Sequence, residues 1–158
     1  MAGTHLLIYE FGATANFEGR LVGALERLGA AGELRVLDGL FVANDTDTGE
    51  LVALDLRSGS SGDAVARLLT FRLDPGARRA ATKKALGESG SVPADVVRRL
   101  GDALEPGHAL LALVVDGPEP QDLQDAVGRM GGRTLSAGPV ESSSLAELTT
   151  ELLAAVGS

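Results

Sequence analysis

The chain has no cysteine and no tryptophan, a single tyrosine, four phenylalanines and two histidines. Without thiols there are no disulfides, thiolate zinc sites, iron–sulfur clusters or cysteine nucleophiles, and this usage fits a reducing, cytoplasmic setting. With aromatics at 3% the core has to be aliphatic, and stacking platforms for single-stranded nucleic acid are scarce. Basic charge is short too: 14 Lys and Arg against 22 Asp and Glu leave a formal charge of −8, which opposes non-specific binding to nucleic acid or an anionic membrane. No apolar run reaches the length of a membrane span. The one near the N-terminus is too short for a signal segment and has no basic flank. What is present is 158 residues, 44% hydrophobic and 23% charged, enough for one globular domain with a real core.

The clearest local statement is the stretch from Glu33 to Arg57, ELRVLDGLFVANDTDTGELVALDLR, in which two β-rich runs flank a polar cluster. It reads as a β-hairpin. A turn centred on Thr46 and Asp47 pairs Val42 with Leu51, Leu40 with Ala53 and Asp38 with Asp55. Before it, His5 to Phe11 is apolar on both parities, the mark of a strand buried on both faces. Phe17, Leu21, Leu25 and Leu28 then fall at helical spacing. After Arg57 the composition changes through a Ser- and Gly-rich break into a helical insert at about 60–92. Pro93 opens a helix with Val96, Val97, Leu100 and Leu104 on one stripe. His108 to Val115 is a second strand apolar on both parities. A helix carrying Leu123, Val127 and Met130 and a short strand, RTLSA, follow. The tail carries a capping box, Ser144 with Glu147, then Leu145, Leu148, Leu152 and Val156 on a narrow seam.

This order contains βαββαβ, so the expected fold class is α+β: a ferredoxin-like sandwich over 1–140 with a helical insert and a C-terminal docking helix over 141–158. Two strands apolar on both sides require cover on the second sheet face as well, from the C-terminal helix, the helical insert or the sheet of another subunit, of which facing sheets in a dimer are the simplest.

The runs LLIYEF, RVLDGLFVANDTDTGELVALDL, LEPGHALLALVV and GGRTLSAGPV resemble an uncharacterised bacterial family of ferredoxin-like proteins, whose members are described as membrane-associated or stress-linked. The resemblance covers residues 4 to 140 and implies a fold but no catalytic residues. Where related members have a glycine-rich apolar hairpin, this chain has AVARLLTFRLDPGARRAATKKALGESG, with Arg78, Arg79, Lys83 and Lys84. That departure speaks against a membrane role.

Few residues suggest chemistry. His5 and His108 open neighbouring antiparallel strands in a ferredoxin-like order, which puts them at opposite ends of the sheet and rules out a shared metal within one subunit. Asn44, Asp45, Asp47 and Gly49 suggest a calcium loop, yet Leu56 stands where the bidentate Glu belongs. The loop Gly12 to Gly19 lacks the Lys-Ser/Thr of a phosphate loop and dinucleotide spacing. Asp38 and Asp55, opposite each other, read either as an acid/base pair or as two solvated groups. Arg78, Arg79, Lys83 and Lys84 read as a basic helix face, solvated or set against an acidic neighbour.

The expectation is a non-enzymatic structural or self-assembly protein with no cofactor or metal. Its interface candidates are that basic face and the Leu145, Leu148, Leu152 and Val156 seam. The alternative is a small-ligand or stress-related regulatory module.

Overall fold

The computed structural model describes residues 3–12, 27, 36–44, 51–55, 82–83, 92–105, 107–117, 119–129, 131–142 and 144–157; at 36, 51, 52, 54, 55, 156 and 157 only the backbone enters the description. The elements among them, in chain order, are β1 Thr4–Phe11, β2 Val36–Asn44, β3 Leu51–Asp55, α1 Ala94–Ala103, β4 Ala109–Asp116, α2 Gln121–Arg129, β5 Arg133–Ser136, β6 Pro139–Val140 and α3 Thr149–Gly157. A 3-10 turn, Leu145–Glu147, precedes α3. Arg27 is helical, as are Thr82 and Lys83 within the insert. The rest of the helix expected around residues 17–28, and of the insert, lies outside the described residues.

The strands form one antiparallel sheet in the order β3-β2-β4-β1-β5, and β6 also pairs with β1. The class is α+β, but the sheet is not a plain βαββαβ arrangement. Among the described residues β3 is an outer strand beyond β2, α1 stands between β3 and β4 in the chain, and β6 and α3 are added at the end. β1 and β4 lie side by side, with Thr4 opposite Asp116 and Phe11 opposite Ala109. Their lack of polar alternation explains the position: Leu6 to Tyr9 and Ala109 to Val115 are buried without a break, which only an inner strand with both faces covered permits.

One face carries Leu6, Ile8, Leu40, Val42, Leu110 and Val114. It packs under Val96, Val97 and Leu100 of α1 and under Leu145, Leu148 and Leu152 of the C-terminal segment. On the other, Phe11 lies near Val127 of α2, since a Cβ at Gly132 would touch both; Leu7, Tyr9, Leu111, Leu113 and Val115 are buried too. Both faces are therefore covered within one chain, and the sheet of another subunit is not needed. The C-terminal helix docks on its own sheet, so Leu145, Leu148 and Leu152 are core residues and not a surface for a partner. Each contributes roughly 1.5–3 kcal/mol of burial. The side chain of Val156 lies outside the described residues.

Two local expectations are corrected. The hairpin pairs Val42 with Ala53 and Leu40 with Asp55, two residues off the expected register, so Asp38 and Asp55 are not opposite one another. A shift of two keeps every side chain on its face, which is why the core pattern was legible while the partners were not. The capping box is absent as well. Glu147 accepts a 2.6 Å hydrogen bond from the Ser142 hydroxyl, and the Ser142 Oγ accepts one from the Ser144 amide at 3.1 Å. The segment opens with a 3-10 turn, whose tighter winding does not offer the α-helical N3 geometry a box requires.

Candidate functional site

Four ionisable side chains from separate parts of the sequence meet at the end of the sheet where β1 finishes and β4 begins. Glu10 shares the parity of Leu6 and Ile8 and so ends the apolar row facing α1; its cross-strand partner on β5 is Arg133. Arg133 Nη2 donates to Glu10 Oε1 at 2.9 Å, and His108 Nδ1 lies 3.1 Å from Glu10 Oε2. His108 Nε2 is 3.3 Å from Glu105 Oε2. Glu10 is 18% exposed and His108 23%, whereas Glu105 at 79% and Arg133 at 71% reach into solvent.

The turn that delivers His108 is tied down from β2. The Asn44 side-chain amide donates to Leu104 O at 3.3 Å, Gly107 N donates to Asn44 O at 2.7 Å, and Asn44 N donates to His108 O at 3.0 Å. Gly107 has φ 81°, a left-handed conformation that favours glycine. Asn44, considered as part of a calcium loop, thus works as the clamp of the α1–β4 turn. Asp45, Asp47 and Gly49 lie outside the described residues.

Burial pushes the Glu10 carboxyl upward, but hydrogen bonds from Arg133 and His108, with their charges, outweigh it and hold it below the usual glutamate range. An ionised Glu10 only accepts, so Nδ1 of His108 is a donor to it. The result is an imidazole fixed on one side by a carboxylate, with its other nitrogen turned toward an exposed glutamate and a guanidinium close by. Such a ring is oriented to hold or pass a proton or to meet an anion.

Two other polar contacts lie in the interior. Asp38, 2% exposed, accepts from Gly39 N at 2.9 Å through Oδ1 and from Leu145 N at 2.8 Å through Oδ2. The register shift between Val36 and Asp38 against β4 is the bulge that re-aims this side chain. Tyr9, fully buried, donates from its hydroxyl to Glu119 just ahead of α2. Burial raises the phenol well above its ordinary value, and the bond to Glu119 and its charge add to that.

Of the residues singled out from sequence, Asp38 is a buried fastening point, and the Asp55 side chain lies outside the described residues. Lys83 is exposed; Arg78, Arg79 and Lys84 lie outside the described residues. His5 faces Val115, at the opposite end of the β1–β4 pair from His108. Among the described residues no three His, Asp or Glu side chains gather to hold a metal ion. Sequence reasoning missed Glu10, Glu105, Arg133 and the Tyr9–Glu119 pair. The signal for Glu10 was present: a charge on the inward parity of an otherwise apolar strand calls for a cation nearby.

Compared with known proteins, the chain matches no family model, no curated protein and no solved structure.

Proposed function

We propose that the chain is a non-enzymatic structural protein that acts by associating with copies of itself, in the cytoplasm, as its lack of cysteine fits, and built on the ferredoxin-like core that its resemblance to the uncharacterised bacterial family implies. The order β5-β1-β4-β2, antiparallel throughout, supports that core, with β3 appended outside β2. No described helix is long and apolar enough to cross a membrane.

The observation that carries the reading is where apolar surface is left over. Both sheet faces are covered, yet Leu135 on β5, Val140 on β6 and Leu153 and Ala155 on α3 are only partly buried at the rim of the core. Among the described residues β5 ends the sheet on that side, and α3 touches it. Partly buried apolar side chains beside an edge strand suit a symmetric contact between two copies. Light scattering across a concentration series tests this: the weight-average mass should double, and Leu135→Glu should hold it at one chain. A mass fixed at one chain from micromolar to near-millimolar concentration overturns it.

A second reading, a small-ligand or regulatory module, is favoured by the oriented His108 ring and the exposed Arg133. Thermal shift with a panel of small carboxylates and phosphates tests it, with Arg133→Gln abolishing any stabilisation.

A further inference from the structure

The His108 ring stands between two carboxylates, and only one of its charge states can bond both. Nδ1 lies 3.1 Å from Glu10 Oε2, and Nε2 lies 3.3 Å from Glu105 Oε2. Arg133 holds the other oxygen of Glu10 at 2.9 Å, and β2 brings the uncharged Asn44 to the same turn. Among the described residues the ring nitrogens meet no other charged group. A carboxylate only accepts, so each nitrogen facing one needs a proton. The neutral imidazole has one proton to give and the imidazolium has two. Glu10 is 18% exposed and costly to leave without its donor, whereas Glu105, 79% exposed, can turn to water. The neutral ring therefore keeps its proton on Nδ1 and faces Glu105 with a lone pair. With the second proton, two anions and two cations balance; without it the cluster carries a surplus negative charge in a chain already at −8.

We infer that His108 is a proton-gated latch on the α1–β4 turn: the imidazolium binds Glu105 and closes the turn, and the neutral ring releases it. The same two residues are also joined through the backbone, His108 N donating to Glu105 O at 2.9 Å, beside the bond from Gly107 N to Asn44 O at 2.7 Å. The side-chain contact is a second brace over that step of chain. Histidine is the side chain whose charge ordinarily changes between about pH 5 and 8. Glu10 stays ionised across that range, its own loss of charge belonging to more acidic solution. The turn is accordingly tighter at the acid end of the range and looser at the alkaline end. The latch needs neither self-association nor a ligand.

Amide hydrogen exchange, corrected for the intrinsic rate at each pH, tests this in a His5→Gln background, which leaves His108 as the only imidazole. Protection of the Gly107 and His108 amides should fall by up to about fivefold from the acid to the alkaline end of the range, the size an exposed ion pair supplies. Protection of Ala112, inside β4, should not change. In Glu105→Ala the turn amides should exchange at the faster rate at every pH. Glu105→Gln should also lose the pH dependence, since its side-chain amide accepts from the charged ring and donates to the neutral one. Ring nitrogen chemical shifts should place the proton of the neutral ring on Nδ1, with the second arriving on Nε2 on acidification. A neutral ring protonated on Nε2 overturns the inference. So does turn protection indifferent to pH, or a fall that survives in Glu105→Ala or is shared by Ala112.

Discussion

The Oδ2 atom of Asp38 on β2 accepts a 2.8 Å hydrogen bond from the backbone amide of Leu145, 107 positions further along the chain. The bond meets an amide that the 3-10 turn leaves without an internal partner. It thereby fixes the point at which the C-terminal segment enters the core, and Leu145, Leu148 and Leu152 then close over Leu6, Ile8 and Leu40. A carboxylate that sequence reading set against Asp55 is in fact spent on holding the end of the chain to its middle.

Replacing Asp38 by Ala strands the Leu145 and Gly39 amides in the interior. A loss of about 2–4 kcal/mol in urea unfolding is expected, because buried donors left without an acceptor keep their full desolvation cost. Asp38→Asn keeps a carbonyl acceptor and should lose roughly half as much. Hydrogen exchange at the Leu145 amide locates the effect: unchanged protection in Asp38→Ala would show that another group anchors the segment.

Glu10 should stabilise the fold in a pH-dependent way. Its carboxyl is held below the ordinary range, chiefly by Arg133 and His108 acting against burial. Its contribution is therefore present above the unfolded-state value of about 4.3 and is lost as pH falls through the lower folded value. Arg133 is largely exposed, so the effect is modest, under about 1 kcal/mol. Urea midpoints of wild type and Glu10→Gln should differ at neutral pH and converge on acidification; a gap that widens toward acid contradicts this account.

Tyr9 is the chain's single tyrosine, which makes its ultraviolet titration unambiguous. Burial first, and then the bond to Glu119, raise the phenol above the free value of about 10. Stability that depends on the neutral phenol is complete below that value and declines as pH rises beyond it. Tyrosinate absorption should therefore appear together with unfolding, as judged by far-ultraviolet circular dichroism. Tyr9→Phe should cost about 1–2 kcal/mol at neutral pH through the lost bond.

Gly132 and Gly138 make a contrasting pair, both with ordinary negative φ. A Cβ at Gly132 would lie 2.8 Å from two ring carbons of Phe11 and 3.0 Å from Val127 Cγ1, while at Gly138 it meets nothing within 4 Å. Phe11 is fully buried and has no room to retreat. Gly132→Ala should lose about 1–3 kcal/mol through overpacking, whereas Gly138→Ala should be neutral or gain a few tenths through a stiffer unfolded chain. Thermal midpoints of the two variants against wild type check both.

The apolar runs LLIYEF and HALLALVV by themselves determined that β1 and β4 lie inside the sheet, because period-two alternation disappears only when both faces are buried. The stripe of Val96, Val97, Leu100 and Leu104 likewise determined α1 and the face it turns inward, and the leucines of the tail determined that it docks. These are local consequences of burial repeated at a fixed period, and a chain carries its own period. Only the tertiary structure decided the partners. The hairpin register moved by two because a six-residue polar stretch closes over more than one centre at similar cost while the facing of every side chain is kept. Asp38 met Leu145, and Glu10 met His108 and Arg133, through the packing of segments about a hundred residues apart. No spacing along the chain encodes such a meeting, since it depends on where the sheet places each strand end.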